Sequence, residues 1–245
     1  LSQRLPPELF AKVEWLDALP DSFRGLVLGN EVLDALPVHI VGRHEGLFER
    51  GVHCDGEALV WADQEGISAN LAAAVSGLSL PDSYLTEVCP SATALLASLA
   101  EMLESGLILL IDYGFPRREY YHPQRDQGTL MCHYRHHAHN DPFLYPGLQD
   151  ITAHVDFTTV AEAGVAKGLR LSGYITQAQF LINCGITDLL SHVPADSTAY
   201  LPLVSQAQKL LSPAEMGELF KVLALGKGDN APLLGFARGD RSHTL

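Results

Sequence analysis

Acidic and amide side chains recur where apolar segments of the sequence end, at Asp17, Asn30, Glu31, Asp34 and Asp112. In open α/β sheets, ligands bind beyond the carboxyl ends of the strands, because loops converge there. A carboxylate at such a position can accept a proton or hold a cation, and the planar guanidinium of arginine matches its two oxygens especially well. Asp and Asn also cap helices routinely, so either role fits any one of them alone. Their recurrence at three segment ends favours a ligand site.

The elements that must position these residues read as an α/β fold. Residues 13–16 and 24–29 are predicted strands, the second apolar enough to be buried on both faces of a parallel sheet. Residues 92–104 carry Ala and Leu at helical spacing, and Gly106 is expected to end that helix. The apolar run 107–111 follows at once, so a right-handed parallel crossover in a doubly wound core is predicted.

Two further segments interrupt this pattern. Residues 39–61 alternate Val- and Ile-rich stretches with polar and glycine residues, which predicts a β-hairpin. Residues 115–152 are crowded with Tyr, His, Pro and Asp and predict a loop. That loop is longer than the connections that merely join elements, so we expect it to carry function.

The C-terminal third is predicted to continue with helices and strands. Capping boxes predict helix starts at Thr159, Thr176 and Ser212. The first two helices are expected near 160–167 and 177–184, with a strand at 170–175 between them. Residues 220–225 and 233–237 are predicted to form an antiparallel strand pair.

The composition predicts a folded, soluble protein that does not bind nucleic acid. The 245 residues are 47% hydrophobic, enough to bury a substantial core. Lys and Arg number 16 against 29 Asp and Glu, a formal net charge of −13, so a nucleic-acid backbone would be repelled. The four cysteines lie far apart, which argues against a disulfide framework and indicates a reducing compartment. No apolar run approaches the roughly 18 residues of a membrane span.

A histidine-rich stretch at residues 132–141 could hold a metal. Within it, His137, His139 and Asp141 have the H-x-H-x-D spacing of metallo-β-lactamases, but Pro142 stands where that signature has its last histidine. A zinc site needs three or four protein ligands, and the sequence offers no fixed remote partner. We therefore expect these histidines to pack, hydrogen-bond or contact a substrate. A metallohydrolase is the least favoured of the hypotheses considered for this protein.

The segment 30–39, Asn-Glu-Val-Leu-Asp-Ala-Leu-Pro-Val-His, resembles a signature of the MidA family of S-adenosylmethionine-dependent methyltransferases. The resemblance covers nearly the whole chain, from about Val13 to Phe236. Further matches follow in the family's order: Glu87-x-Cys89-Pro90, Ile111-Asp112-Tyr113-Gly114, Gly128-Thr129-Leu130, Tyr134-x-x-His137, Asp141-Pro142, Gly147-x-x-Asp150-Ile151-Thr152-x-His154-Val155-Asp156-Phe157 and Thr176-Gln177-x-x-Phe180-Leu181.

The resemblance implies a class I methyltransferase fold, in which an N-terminally truncated Rossmann-like sheet carries an inserted or appended α+β lobe. It implies S-adenosyl-L-methionine as the cofactor and a protein side chain, arginine, as the methyl acceptor. The family's mitochondrial member methylates a subunit of respiratory complex I during assembly, so a complex I subunit is an implied partner. The implied location is the cytoplasm of a bacterium or the mitochondrial matrix of a eukaryote.

The same resemblance implies roles for individual residues. Glu31 is the best candidate for gripping a guanidinium, with Asn30 beside it and Asp17 near the adenine side as cofactor contacts. The other implied catalytic residues are Asp34, Asp112, Tyr113, His154 and Asp156, and the implied substrate contacts are His137, Asp141 and Gln177.

The family's Gly-x-Gly cofactor loop aligns upstream of Leu1. Gly226-Lys227-Gly228 does not replace it, because it follows a late predicted strand and leads to no helix. We expect one methyltransferase-like domain over 1–245 that lacks this loop, with a hairpin inserted at 39–61 and a substrate-side lobe at 115–215. A non-catalytic assembly factor or binding module with the same fold is the alternative.

Overall fold

The structure, a computed structural model, describes residues 4–135, 137–228 and 231–245. The helices are α1 (Pro7–Phe10), α2 (Ala69–Val75), α3 (Pro90–Met102), α4 (Arg117–Tyr120), α5 (Phe157–Ala166), α6 (Gln177–Asn183), α7 (Ile186–Ser191) and α8 (Tyr200–Leu211). The strands are β1 (Phe23–Asn30), β2 (His39–His44), β3 (Gly46–Asp55), β4 (Ala58–Glu65), β5 (Tyr84–Val88), β6 (Leu103–Phe115), β7 (Met131–Tyr134), β8 (His137–His139), β9 (Asp150–Thr152), β10 (Val155–Asp156), β11 (Arg170–Thr176) and β12 (Phe220–Lys227).

The central sheet has the strand order β1-β6-β12-β11, and β10 pairs with the end of β6. β1 and β6 are parallel neighbours, which confirms the parallel arrangement predicted for the sheet. β12 runs antiparallel to both β6 and β11, so the sheet is mixed rather than wholly parallel. The first residue of β12 therefore lies at the same edge as the last residues of β6.

The main core lies between this sheet and the helices α3 and α5. Leu96 of α3, Ile108 of β6, Phe157 and Val160 of α5 and Leu225 of β12 are all fully or almost fully buried in it. Their spacing follows the helical and strand periods, so one face of each element points to the core. No helix in the described ranges is long and apolar enough to cross a membrane.

The predicted hairpin is part of a larger sheet. Strands β4, β3, β2 and β5 pair in that order, and every pairing is antiparallel. The segment predicted to be a long loop at 115–152 is also more ordered than expected, since it contains α4 and the small antiparallel sheet β8-β7-β9. The polar composition of this segment did not indicate these short strands, which contain His and Tyr.

The N-terminal predictions need two corrections. Residues 13–16 are irregular and not a strand, because a strand is held by a partner and they pair with none in the described chain. β1 was predicted to be buried on both faces, yet Leu26 and Leu28 are largely exposed. β1 is the edge strand of the sheet, and the described residues cover only its Val27 face.

Gly106 does not end α3, as predicted, but lies inside β6. The helix ends at Met102, and Leu103 is already extended. Gly106 pairs with Gly25 of β1, and a Cβ on it would lie 1.9 Å from the Gly25 carbonyl oxygen. The glycine is therefore required by close approach of two strands, which a helix-stop pattern cannot distinguish from a cap.

Three further details of the predicted elements need correction. The helix predicted near 160–167 is present as α5, but it begins at Phe157 with Asp156 as its cap and not at Thr159. Ser212 ends α8 and does not open a helix, and the residues after it form turns. Residues 233–237 form a 3₁₀ turn rather than a strand, since β6 and β11 already occupy both edges of β12. The strand at 170–175 and the helix opened by Thr176 are confirmed.

Candidate active site

A cleft of about 1050 Å³ opens beyond the carboxyl ends of β1 and β6. Four residues selected from the sequence line it: Glu31, Asp34, Tyr113 and His154. Phe220, the first residue of the reversed strand β12, closes one side. The small sheet β8-β7-β9 contributes further lining residues, among them Met131, His133, Asp150, Ile151 and Thr152.

Glu31 lies where β1 ends, in an unusual backbone conformation. Its φ is +51°, in the left-handed region that non-glycine residues seldom adopt. Its amide nitrogen donates to the Ile111 carbonyl at 2.9 Å, which ties it to the neighbouring strand β6. The Asn30 side-chain nitrogen donates to Glu31 Oε1 at 3.1 Å. Glu31 is thus an exposed carboxylate held in place at the mouth of the cleft.

The two oxygens of the buried Asp34 carboxylate differ in their hydrogen bonding. The Tyr113 hydroxyl donates to Asp34 Oδ2 at 2.6 Å. The other oxygen, Oδ1, is buried and has no hydrogen-bond partner among the described residues. Burial, followed by the bond to Asp34, raises the pKa of Tyr113 well above its usual value, so the phenol stays protonated and keeps donating. An unpaired buried acceptor at a cleft wall is suited to a ligand donor.

Asp112 lies behind Asp34 and fixes the chain around it. Its Oδ2 accepts the Leu33 amide at 2.9 Å and the Asp34 amide at 3.3 Å, while Oδ1 accepts the amide of Tyr113 at 2.9 Å. Burial and then the charge of Asp34 raise the pKa of Asp112 to about 7. Asp112 is therefore a positioning group of the site and lies almost fully buried.

His154 forms another wall of the cleft as a neutral ring. It stacks on Phe115 with ring centroids 5.3 Å apart and planes 3° apart, and meets Tyr113 edge-on at 5.1 Å. Burial, with smaller contributions from the positive charges of Arg125 and Lys221, lowers the pKa of His154 to about 4. The imidazole is therefore uncharged at neutral pH and does not repel a cation in the cleft.

Glu87, which sequence reasoning did not select as a site residue, holds His154 indirectly. Its buried carboxylate accepts the Thr129 amide at 2.9 Å, the Thr129 hydroxyl at 3.0 Å and the Leu130 amide at 3.0 Å. Thr129 Oγ1 in turn accepts the backbone amide of His154 at 3.0 Å. Gly128 has a φ of +75°, and a Cβ there would lie 2.2 Å from Glu87. The sequence does contain the two motifs that supply these residues, Glu87-x-Cys89-Pro90 and Gly128-Thr129-Leu130. No local pattern, however, indicates that the two motifs are in contact.

Lys221 is a second buried group that the sequence did not reveal. Its Nζ donates to the carbonyls of Glu218 at 2.5 Å, Leu219 at 3.0 Å and Gly114 at 3.3 Å. Burial lowers the pKa of Lys221 to about 8. The lysine holds β12 against the end of β6, next to Tyr113, which lines the cleft.

Several other candidates from the sequence lie elsewhere. Asp156 caps α5 by accepting the amides of Thr158 and Thr159, and burial raises its pKa. Gln177 is buried, and its side chain donates to the Leu210 carbonyl at 3.1 Å, which joins α6 to α8. Asp17 is exposed in an irregular segment, so it does not end a strand as predicted.

The histidine-rich stretch forms β7, β8 and the turn after them. His137 is exposed on β8, and Asp141 Oδ1 accepts the Phe143 amide at 2.9 Å in a local turn. Within the described ranges, no three His, Cys, Asp or Glu side chains converge as metal ligands would. One residue of the stretch, at position 136, lies outside the described residues.

A partly parallel sheet covered by α3 and α5, with a polar cleft beyond its carboxyl edge, defines the Rossmann-like α/β class of ligand-binding enzymes. The predicted fold class is confirmed by a crystal structure from Burkholderia thailandensis bound to S-adenosyl-homocysteine. That protein is 54% identical to this chain, superposes with a TM-score of 0.93, and is matched over 98% of this chain and 62% of its own. A native crystal structure from the same organism superposes equally well.

The chain belongs to the family described as "Putative S-adenosyl-L-methionine-dependent methyltransferase", whose model matches residues 1–175. Membership confirms the resemblance drawn from the sequence and S-adenosylmethionine as the family's cofactor. Two curated relatives are named protein arginine methyltransferase NDUFAF7, mitochondrial, or its homolog. The protein of Drosophila melanogaster is 29% identical over 91% of this chain, and that of Mus musculus 29% over 87%. The chain spans about half the length of these relatives, 53% and 49%.

Proposed function

We propose that this protein transfers a methyl group from S-adenosylmethionine to an arginine side chain of a protein. The observation that carries the proposal is the Asp34 carboxylate, which lines the cleft and has one oxygen, Oδ1, without a hydrogen-bond partner among the described residues. A guanidinium offers five N–H donors in a planar fork, and carboxylates match that geometry. The names of the curated relatives support arginine as the acceptor.

Asp34 and Glu31 would hold the guanidinium from two sides. Asp34 is held in place by the Tyr113 hydroxyl and by Asp112, which accepts the backbone amides of Leu33 and Asp34. Glu31 lies at the exposed rim, so it can also pass the proton that the guanidinium loses after methylation to water. The neutral His154 ring excludes water without adding positive charge. Alignment and water exclusion are the main tasks of such a site.

When bound, S-adenosylmethionine would supply an electrophilic methyl group on its sulfonium. The guanidinium nitrogen would give the electron pair for the new N–C bond, while the S–C bond breaks and S-adenosylhomocysteine leaves. Asn30, exposed at the carboxyl end of β1 beside Glu31, offers an amide that fits the polar groups of S-adenosylmethionine. In this proposal Asp17 is a further cofactor contact. A subunit of respiratory complex I is the first natural acceptor to test, because the family resemblance implies it.

The test uses the full-length protein and radiolabelled S-adenosylmethionine, with matched peptides that carry one arginine or one lysine. Asp34→Asn should lower kcat/KM for the arginine peptide by about 100-fold, because a charged donor loses its partner. Cofactor affinity, measured by calorimetry, should stay unchanged. Asp188→Asn, on the exposed helix α7, is the matched control and should behave as wild type.

Two outcomes would contradict the proposal. Equal transfer to lysine and arginine peptides would remove arginine as the specific acceptor. Peptide binding without any transfer would favour the alternative of a non-catalytic assembly factor with the same fold.

A further inference from the structure

A second groove, of about 540 Å³, adjoins the cleft. Asp34, Ala35, Ile151 and Thr152 line both of them. Away from the cleft, the groove runs along strands β3 and β4, so a chain lying in it passes over Asp34 at one end. The two spaces are therefore adjacent and meet at Asp34.

The far part of this groove is apolar and exposed. Val52, Leu59 and Trp61 line it and are 57%, 40% and 38% exposed, and Ile151, where the groove meets the cleft, is 44% exposed. Val52 and Trp61 are directly opposite one another on β3 and β4. The Trp61 ring meets Phe143, which also lines the groove, at a centroid distance of 4.9 Å. Contiguous exposed apolar side chains of this kind mark sites of interaction.

The charged residues of the groove are already paired, apart from Asp34. His39 Nδ1 and Glu49 Oε1 lie 2.7 Å apart. Arg50 donates to both carboxylate oxygens of Asp63, at 2.6 and 2.8 Å. A ligand in the groove thus meets an apolar wall along its length and an acidic group only at the cleft end.

We propose that this groove, named here the β3–β4 groove, docks an extended segment of the protein substrate that has apolar residues around its arginine. The inference rests on the proposed arginine methylation. In an extended chain, residues two positions apart point the same way, so the arginine can enter the cleft while side chains two positions before or after it lie along the apolar wall. The net charge of −13 favours a cationic segment.

The experiment compares two arginine peptides on the full-length protein: one with leucine two positions before and after the arginine, the other with serine at both places. Wild type should show a KM about tenfold lower for the leucine peptide. Val52→Ser/Leu59→Ser should remove that preference by raising KM for the leucine peptide, with kcat and the serine peptide unaffected. Phe143→Ser, outside β3 and β4 and not part of the cleft lining, tests the same wall and guards against local misfolding. Leu189→Ser/Leu201→Ser, two exposed leucines of α7 and α8, is the matched control.

Direct binding separates this inference from the proposed function. In a Trp15→Phe background, Trp61 is the remaining tryptophan of these 245 residues; with any tryptophan outside them also changed to Phe, its fluorescence should change on titration with the leucine peptide only. If neither peptide is methylated but the leucine peptide binds and the groove variants abolish binding, arginine methylation fails while the docking surface stands. Equal KM and equal binding for both peptides overturn the docking surface. So does a concentration-dependent dimer that the groove variants dissociate, because a second copy would then be the occupant.

Discussion

The carboxylates of the site divide into those that face the cleft and one that supports them. Asp112 is almost fully buried and accepts the backbone amides of Leu33, Asp34 and Tyr113. Those bonds fix both residues of the Tyr113–Asp34 pair from one point. Burial and the neighbouring charge of Asp34 raise the pKa of Asp112 to about 7, so its ionisation has a cost in the folded state.

That cost predicts a pH-dependent effect of Asp112→Asn. Because the pKa is raised on folding, the folded state binds the proton more tightly, and the stability from Asp112 is fully present below about pH 4 and is lost as pH rises to about 7. The unfolding free energy of Asp112→Asn relative to wild type should therefore rise over that interval, by up to about 4 kcal/mol, and level off above it.

Urea denaturation at several pH values measures the difference, with Asp188→Asn on α7 as the control. A gap between Asp112→Asn and wild type that is the same at pH 5 and pH 8 would show that Asp112 does not titrate in this interval.

The sequence predicted the residues that face the cleft better than those that support it. Glu31, Asp34 and Tyr113 lie at the ends of apolar segments, and strand ends meet at one edge of a sheet. Glu87 and Thr129 are 42 positions apart and on different elements, so their contact follows from packing that no local pattern encodes. Asp156 and Gln177 match the family motif but make structural hydrogen bonds, since caps and ligands use the same residue types.

At the level of elements, one buried carboxylate joins β5 to the segment that carries His154. Glu87, at the end of β5, accepts two amides and a hydroxyl from residues 129 and 130. The hydroxyl of Thr129 passes the connection on to the amide of His154. The position of the His154 wall thus depends on the antiparallel sheet β4-β3-β2-β5 as well as on the central sheet.

We expect Thr129→Val, which keeps the shape of the side chain, to lower the unfolding free energy by about 2 kcal/mol. The substitution leaves the His154 amide without its acceptor and removes one donor from Glu87. It should also loosen His154 and so raise KM for the arginine peptide more than it changes cofactor affinity. Thr198→Val, at an exposed turn, should stay within about 0.5 kcal/mol of wild type. If the two variants have the same stability, the connection through Thr129 contributes nothing.

Elements with a strong local pattern were predicted correctly, and the errors occurred where distant partners decide. β1, β6, α3 and α6 have apolar runs or helical spacing that lead to one structure. The pattern around Gly106 predicts a helix stop, but this glycine is needed for the close approach of Gly25, 81 positions away in the chain. Residues 233–237 are apolar enough for a strand, yet β12 has no free edge left.

For the molecule as a whole, the net charge affects the rate at which a charged substrate associates. Acidic residues exceed basic ones by 29 to 16, and the cleft itself is lined by Glu31, Asp34 and Asp150 against Arg135. A concave, acidic site in an acidic protein focuses its field on approaching cations. An arginine peptide should therefore associate faster than its neutral analogue.

Salt tests this steering directly. Raising the ionic strength from about 0.02 M to about 0.5 M shortens the Debye length severalfold, so the association rate of the arginine peptide should fall by about tenfold. The same peptide with citrulline in place of arginine is neutral at that position and similar in shape, and its rate should change little. Stopped-flow fluorescence of Trp61 in the Trp15→Phe background measures both rates. Equal salt dependence for the two peptides would mean that the acidic cleft does not attract the guanidinium, and the dissociation rate alone would then distinguish arginine from its neutral analogue.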